Sequence, residues 1–156
     1  MMLDYANHKN ILIRILKDIY TDTTIGPFLG FKGGTAALLL YNLDRNSVDL
    51  DFDLLDLSRE EQVFEQVKKI LEGYGTIKDF SNKKFTLFFR LSYTENHQNI
   101  KVEINKRDFG SRYEVKSPFG ISMKVMVKED IAANKMVAMT EREANRDIFD
   151  TYFFVS

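Results

Sequence analysis

The spacing of apolar residues changes from one part of the chain to the next. From Tyr5 to Tyr20 apolar side chains recur every three to four residues, which predicts an amphipathic helix. From Ser47 to Leu55 apolar residues alternate strictly with polar ones, three of them aspartates, which predicts a strand with one buried face and one carboxylate face. Similar patterns predict most of the remaining elements, which are helices at 35–41, 58–72, 129–142 and 145–154 and strands at 28–31, 100–104 and 123–127.

Turn and capping residues complete the predicted layout. Two more strands are predicted between Thr76 and Tyr93, joined by a turn at Ser81–Lys83. Ser58 is predicted to cap the helix that follows it, with Glu61 three residues later completing a capping box. The result is an α+β fold, a mixed β-sheet with packed helices and further C-terminal helices. At 156 residues the chain (1–156) suits a single domain.

The composition excludes several kinds of chemistry. The chain has no cysteine, which excludes disulfides, thiolate zinc sites and cysteine nucleophiles. His8 and His97 are the only histidines, so a multi-histidine metal site is excluded as well. The longest apolar run, at 36–40, is far shorter than the roughly 20 residues of a membrane span. The N-terminal residues lack the pattern of a signal peptide, so we expect a cytoplasmic protein without membrane contact.

Charge is distributed unevenly along the chain. Between Asp44 and Glu61 there are seven acidic and two basic residues, a net charge of −5. Between Lys101 and Lys128 there are seven basic and three acidic residues, a net charge of +4. An acidic segment followed by a basic one suits a site in which carboxylates hold cations and basic residues bind a polyanion. Ordinary surface charge that happens to be clumped explains the distribution as well.

A glycine turn separates the first predicted strand from the next helix. Gly33 and Gly34 let backbone N–H groups approach an anion, and the N-terminus of the helix that begins near Thr35 adds a favourable dipole. Neither a Walker motif nor a dinucleotide fingerprint is present. Taken alone, the turn is only weakly indicative of phosphate binding.

The alternating strand carries its carboxylates on one face. Asp49 and Asp51 point the same way and can share a divalent cation, and Asp53 continues the row. A calcium-binding loop is rejected, because Leu54 occupies the position that requires glycine. The other interpretation is a solvated strand face, but strands are poor in aspartate, so three in five residues is unusual.

A third carboxylate, Glu103, lies between Val102 and Ile104 in a later predicted strand, where a routine half-buried strand is the simplest interpretation. The order of the glycine turn, the Asp49–Asp51 strand and this strand resembles the signature of the DNA polymerase β-like nucleotidyltransferases. The resemblance implies a nucleotidyltransferase-like sheet on which the three carboxylates hold two magnesium ions. Phosphoryl transfer requires such neutralisation of charge on the in-line oxygens.

Flanking residues narrow the resemblance. The segments Lys32–Leu38, Arg45–Phe52, Asn134–Arg142 and Arg146–Asp150 are similar to the AbiEii/AbiGii-type toxins within that superfamily. The match covers most of the chain, from about Phe28 to Tyr152. In that family a cytoplasmic nucleotidyltransferase toxin is paired with an antitoxin encoded beside it, and members add nucleotides to RNA, tRNA in particular.

The resemblance also implies residue roles. Asp49 and Asp51 would be metal ligands, and Glu103 would be the third ligand that also orients or deprotonates the attacking hydroxyl. Lys135 would reach the nucleotide phosphates. Asp147, together with Asp150, would orient a basic residue of the preceding helix, with a purely structural ion pair as an equal alternative. The triphosphate group of the NTP would be bound by four residues, Gly33, Gly34, Thr35 and Ser47.

The sequence therefore predicts a magnesium-dependent transfer of a nucleoside monophosphate from an NTP to an acceptor. The expected acceptor is RNA, most of all tRNA, and the expected protein partner is a cognate antitoxin. Two alternatives remain open: a small-molecule nucleotidyltransferase of the aminoglycoside-modifying kind, and an inactive module that binds nucleotide or partner. The chain ends at Ser156 directly after an aromatic run, and family members often continue with more helices. We therefore expect a short form or a shortened chain.

Overall fold

A single mixed sheet organises the structure, a computed structural model that describes residues 5–42, 47–93 and 99–142, with side chains described as far as Val137. Within these residues the sheet has seven strands and four α-helices pack around it. The elements are α1 (Tyr5–Thr21), β1 (Leu29–Lys32), α2 (Gly33–Tyr41), β2 (Leu50–Leu54), α3 (Glu60–Glu72), β3 (Thr76–Asn82), β4 (Thr86–Ser92), β5 (Asn99–Asn105), β6 (Tyr113–Lys116), β7 (Met123–Met126) and α4 (Lys128–Arg142).

Strand β2 lies at the centre of the sheet. The strand order is β3-β4-β5-β2-β1-β7-β6. The pairs β2–β5 and β1–β7 are parallel, and the other four neighbouring pairs are antiparallel. Strand β2, which carries the aspartates, therefore lies between β1 and β5. The predicted mixed α+β sheet is confirmed.

The apolar side chains of the central strands form the core against α1 and α3. Phe31 and Phe52 are fully buried, and their ring centroids are 5.5 Å apart. Phe89 of β4 is fully buried too, 5.0 Å from the ring of Phe64 on α3. Truncating a buried aromatic of this kind costs about 3–5 kcal/mol. Because neighbouring residues of a strand face opposite sides, this packing leaves the polar residues of β2 and β5 on the other face.

Most predicted elements are confirmed, with boundaries shifted by a few residues. The chief shift concerns Ser47–Asp49, which precede β2 and do not pair as strand. The strand Tyr113–Lys116 was not predicted, because an alternation over only four residues, Tyr-Glu-Val-Lys, is at the lower limit of a recognisable strand pattern. The predicted helix at 145–154 lies outside the described residues. In the part of the chain that the structure describes, every helix is too short or too polar to cross a membrane.

Two local predictions were wrong. Ser58 does not cap α3, because its backbone N–H and its hydroxyl both donate to Asp56 Oδ1, at 3.0 and 2.7 Å. These bonds stabilise a single 3-10 turn at Leu57–Arg59, and α3 begins only at Glu60. The turn predicted at Ser81–Lys83 lies further along: Ser81 and Asn82 belong to β3, and the Lys83 N–H donates to the Thr86 carbonyl at 2.9 Å.

Candidate functional site

The register between β2 and β5 brings the second and third predicted carboxylates together. Asp51 and Glu103 are direct partners in this parallel pair. Neighbouring strands lie about 4.8 Å apart, and paired residues project to the same face. Glu103 is exposed, whereas Val102 and Ile104 on either side of it are fully buried. Glu103 therefore does not face the core but shares the polar face of the sheet with Asp51.

The charges around Asp51 are crowded. Burial raises the pKa of Asp51, and the nearby charges of Glu103 and Asp49 raise it further, to about 7. Lys32 and Lys135 act in the opposite direction. The repulsion among the three carboxylates is of the kind that a bound cation relieves. The structure thus brings the three predicted metal ligands into one electrostatic cluster.

Asp49 approaches the cluster from the segment before β2. Its Oδ1 accepts a hydrogen bond from the backbone N–H of Lys101 at 3.1 Å, which ties the start of β2 to β5. Thr35 holds the backbone of the same segment, because its hydroxyl donates to the Asp49 carbonyl and its Oγ1 lies 2.9 Å from Ser47 Oγ. Thr35 is fully buried. The Thr35 and Ser47 hydroxyls therefore position Asp49, and their predicted contact with triphosphate remains a prediction.

The glycine turn lies directly against Asp51. Gly33 has φ +83°, in the left-handed region that favours glycine. A Cβ at this position would lie only 2.6 Å from Asp51 Oδ2, so glycine is required for space as well as for conformation. Helix α2 begins here without a side-chain hydrogen bond from its N-cap residue, Lys32, and the N-terminus of a helix is suited to binding an anion. The turn and the carboxylates thus form one continuous site.

Asp53, which continues the row of aspartates, has a different environment. Its Oδ1 lies 2.7 Å from Lys32 Nζ and accepts a hydrogen bond from Asn105 Nδ2 at 3.1 Å. Its other oxygen accepts a hydrogen bond from the Tyr113 hydroxyl. Asp53 is 7% exposed, so this is a buried carboxylate with its hydrogen-bonding capacity used. It anchors Lys32, a cation close to the cluster that the sequence did not single out.

His8 is a second residue that the sequence analysis missed. Its Nε2 donates to the Val48 carbonyl at 2.9 Å, which leaves Nδ1 to accept from the Tyr93 hydroxyl. The side chain is 1% exposed and lies beneath the residue before Asp49. A histidine in the polar start of a helix gives no signal in sequence, because its partners are 40 and 85 residues away. His8 and Thr35 hold this segment from two sides.

The last predicted site residues come from the C-terminal region. Lys135 lies on α4 and is close enough to lower the pKa of Asp51. Lys128 and Arg142 lie on the same helix, and the side chain of Arg142 is outside the described part. Asp147 and Asp150 lie outside the described residues. Of the two predicted C-terminal site residues, Lys135 therefore lies near enough to the carboxylates to act on Asp51, and Asp147 is not described.

The donor set fits a hard divalent cation. Carboxylate oxygens are the ligands that Mg²⁺ prefers, and Asp49, Asp51 and Glu103 are close enough to perturb one another. Among the residues that the structure describes, no group of three or more acidic or histidine side chains is arranged so that it could by itself hold a metal ion. Mg²⁺ keeps several of its waters and completes its shell with substrate phosphates, so an open set of ligands is consistent with it.

Comparison with known proteins agrees with this geometry. A mixed sheet with carboxylates on two parallel neighbouring strands, next to a glycine turn at the start of a helix, defines a domain of the nucleotidyltransferase class. The family model described as the nucleotidyl transferase AbiEii toxin, type IV toxin–antitoxin system, matches residues 14–156. The chain therefore belongs to the AbiEii family, and the resemblance inferred from the sequence is confirmed.

Solved structures show the same fold. JHP933 from Helicobacter pylori is 28% identical with a TM-score of 0.70, and the match covers 98% of this chain and 66% of that one. An antigenic nucleotidyltransferase-like protein from Paracoccidioides brasiliensis is 14% identical with a TM-score of 0.57, covering 95% of this chain and 74% of that one. At that identity the second match concerns the fold alone. Comparison with curated proteins gives no match.

Proposed function

We propose that this protein transfers a nucleoside monophosphate from an NTP to a hydroxyl group of RNA, with tRNA as the expected acceptor. The observation that carries the proposal is the pairing of Asp51 with Glu103 beside Gly33. This pairing unites a carboxylate cluster with an uncapped helix N-terminus. Anion binding and charge neutralisation are the two needs of nucleotidyl transfer.

The first α2 N–H groups and Lys135 bind the phosphates of the nucleotide. Backbone N–H groups at the turn supply fixed donors, and Lys135 adds a positive charge from α4. Asp49, Asp51 and Glu103 would hold magnesium, which when bound neutralises charge on the α-phosphate and on the two in-line oxygens. Lys32, held by Asp53, keeps a positive charge beside the cluster.

Glu103 is the base in this proposal. Its carboxylate orients the acceptor hydroxyl and accepts its proton while the hydroxyl oxygen attacks the α-phosphorus. The bond between the α-phosphorus and the bridging oxygen breaks, and pyrophosphate leaves with the bond electrons. Glu103 is exposed on the open face, so an acceptor as large as RNA can reach it. Asp147 remains a proposed positioning residue.

The biological setting follows from the family. The family is described as a type IV toxin–antitoxin system, so we propose that the chain is the toxin and has a cognate antitoxin protein as partner. Because the proposed substrates are RNA and nucleoside triphosphates, we expect the activity in the cytoplasm.

Label transfer tests the reaction. Purified protein is incubated with total cellular RNA, magnesium and each α-labelled NTP in turn, and Asp51→Asn is compared with Asp79→Asn. Asp79 is exposed on β3, three strands from β2, and serves as the matched control. We expect label on one RNA class with wild type and with the control, and none with Asp51→Asn. Absence of label with every NTP would refute RNA transfer, and equal labelling by Asp51→Asn would refute the assigned site.

A further inference from the structure

Two exposed phenylalanines flank Arg107, which lies two residues after the end of β5. Phe85 is 45% exposed and Phe109 is 64% exposed. The guanidinium carbon of Arg107 lies 4.9 Å from the Phe85 ring centroid and 5.0 Å from that of Phe109. Lys84 Nζ lies 5.2 Å from the Phe85 centroid. We call Lys83, Lys84, Phe85, Arg107 and Phe109 the aromatic–basic surface.

The backbone holds this surface in place. The Lys106 N–H donates to the Phe85 carbonyl at 2.8 Å, which ties the β3–β4 turn to the end of β5. After Arg107 the chain turns sharply, since the Gly110 N–H donates to Asp108 Oδ1 at 2.7 Å and Gly110 has φ +72°. The aromatic rings are therefore presented by an ordered pair of turns, although their exposure leaves apolar area in water.

The cations of the surface are not neutralised internally. Within the described residues no carboxylate forms a salt bridge with Lys83, Lys84 or Arg107. Lys106 differs, because its ammonium is paired with Glu60 and also donates to Asn82 at 2.7 Å. The surface thus offers three available positive charges interleaved with two aromatic faces.

The surface is close to the proposed catalytic carboxylates. Arg107 is four residues after Glu103, so their Cα atoms are at most about 14 Å apart. A cleft of about 440 Å³ extends from Asp53, two residues along β2 from Asp51, to Arg107, Asp108 and Phe109. An extended ligand that reaches Glu103 can therefore continue along β5 onto the aromatic–basic surface.

We propose that the aromatic–basic surface binds a single-stranded segment of the acceptor RNA. Proteins bind single strands by combining available cations, which contact phosphates, with aromatic rings, on which bases stack. Protein interfaces are enriched in phenylalanine and arginine but depleted in lysine, so it is the two lysines that favour RNA over a protein partner here. The assignment rests on the proposed nucleotidyl transfer to RNA and names the surface that holds the acceptor.

The test measures binding of a fluorescein-labelled, mixed-sequence single-stranded RNA by fluorescence anisotropy, at salt concentrations from about 50 to 200 mM. We expect Phe109→Ala and Arg107→Ala each to weaken binding by about tenfold through loss of stacking and charge. Lys84→Ala should reduce the salt dependence of log Kd by about 0.7, as for one lost phosphate contact on a single strand. Val115→Ala, at an equally exposed apolar position on β6, and Lys69→Ala on α3 are the matched controls.

A second measurement separates this proposal from the proposed function. Binding of NTP with magnesium, followed by calorimetry, should be unchanged in Phe109→Ala and Arg107→Ala, while label transfer to RNA falls with RNA affinity. If both variants bind and label RNA as wild type does, the surface proposal is overturned and the transfer reaction stands. If wild type shows neither NTP binding nor transfer, the proposed function fails first, and the RNA assignment that rests on it fails too.

Discussion

Replacing Asp51 by asparagine should stabilise the metal-free protein while abolishing its activity. Asp51 lies partly buried between β1 and β5, with Glu103 as its direct neighbour and Asp49 two residues away. Burial, followed by the charges of those two carboxylates, raises the pKa of Asp51 from 3.8 to about 7. Ionised Asp51 is therefore unfavourable in the folded chain, and an asparagine of the same shape removes that charge.

The expected size of the effect follows from the pKa. The protonated carboxyl is favoured by the folded state, so the free energy of unfolding of wild type decreases as pH rises through the interval from about 4 to 7. Each pKa unit corresponds to about 1.4 kcal/mol, so the loss approaches ~4 kcal/mol above pH 7. The asparagine side chain of the variant does not titrate, and the advantage of the variant should therefore be small near pH 4 and full near pH 8.

Urea unfolding in the presence of EDTA, at pH 4.5 and pH 8, measures this difference. Asp79→Asn is the control, and as an exposed surface change it should alter stability by less than about 0.5 kcal/mol. Magnesium should raise the midpoint of wild type more than that of Asp51→Asn, because a cation relieves the repulsion that the variant lacks. Transfer activity of Asp51→Asn should fall by at least about 100-fold, the scale of one lost transition-state contact. If Asp51→Asn is less stable than wild type at pH 8 without metal, Asp51 is structural and the reasoning is refuted.

Three further substitutions test the parts that hold the carboxylates in place. Gly33→Ala should lower both stability and activity, because its Cβ would lie 2.6 Å from a carboxylate oxygen of β2; Gly120→Ala is the control, since φ +78° imposes the same strain there with nothing within 4 Å. Because only Gly33→Ala introduces a clash, it should lose more than Gly120→Ala in both unfolding midpoint and label transfer. Equal losses in the two variants would contradict the role assigned to the clash. His8→Phe should cost about 1–3 kcal/mol by leaving a backbone carbonyl without its donor, and the magnesium concentration for half-maximal transfer should rise; an unchanged magnesium requirement would limit His8 to a structural role. Tyr113→Phe should destabilise the fold by about 1.5–3 kcal/mol, because Asp53 loses one hydrogen bond to its charged oxygen, while transfer by the folded variant stays near wild type; a loss of transfer equal to that of an active-site variant would show that Tyr113 acts in the reaction.

The local features of the site could be predicted from the sequence. Alternation along a strand has a period of two, so Asp49 and Asp51 are predicted to share one face without knowledge of the neighbours. Asp49 in fact lies just before β2, and Asp51 lies within it. The pair Gly33-Gly34 between an apolar run and a helical pattern likewise predicts a strand, a turn and a helix, and the structure has these elements. Such signals depend only on residues close in the chain, so the α+β class and the main outline of the site could be predicted.

Tertiary structure decided which distant residues meet. Whether Glu103 is beside Asp51 depends on the order of the strands and on a register between segments 52 residues apart, and a shift by one residue would turn Glu103 into the core. The Lys32–Asp53 ion pair and the contact of His8 with Val48 also join separate elements. These pairings come from packing the buried faces of the sheet against α1 and α3, because the fold that best buries the apolar residues determines the register of the polar ones.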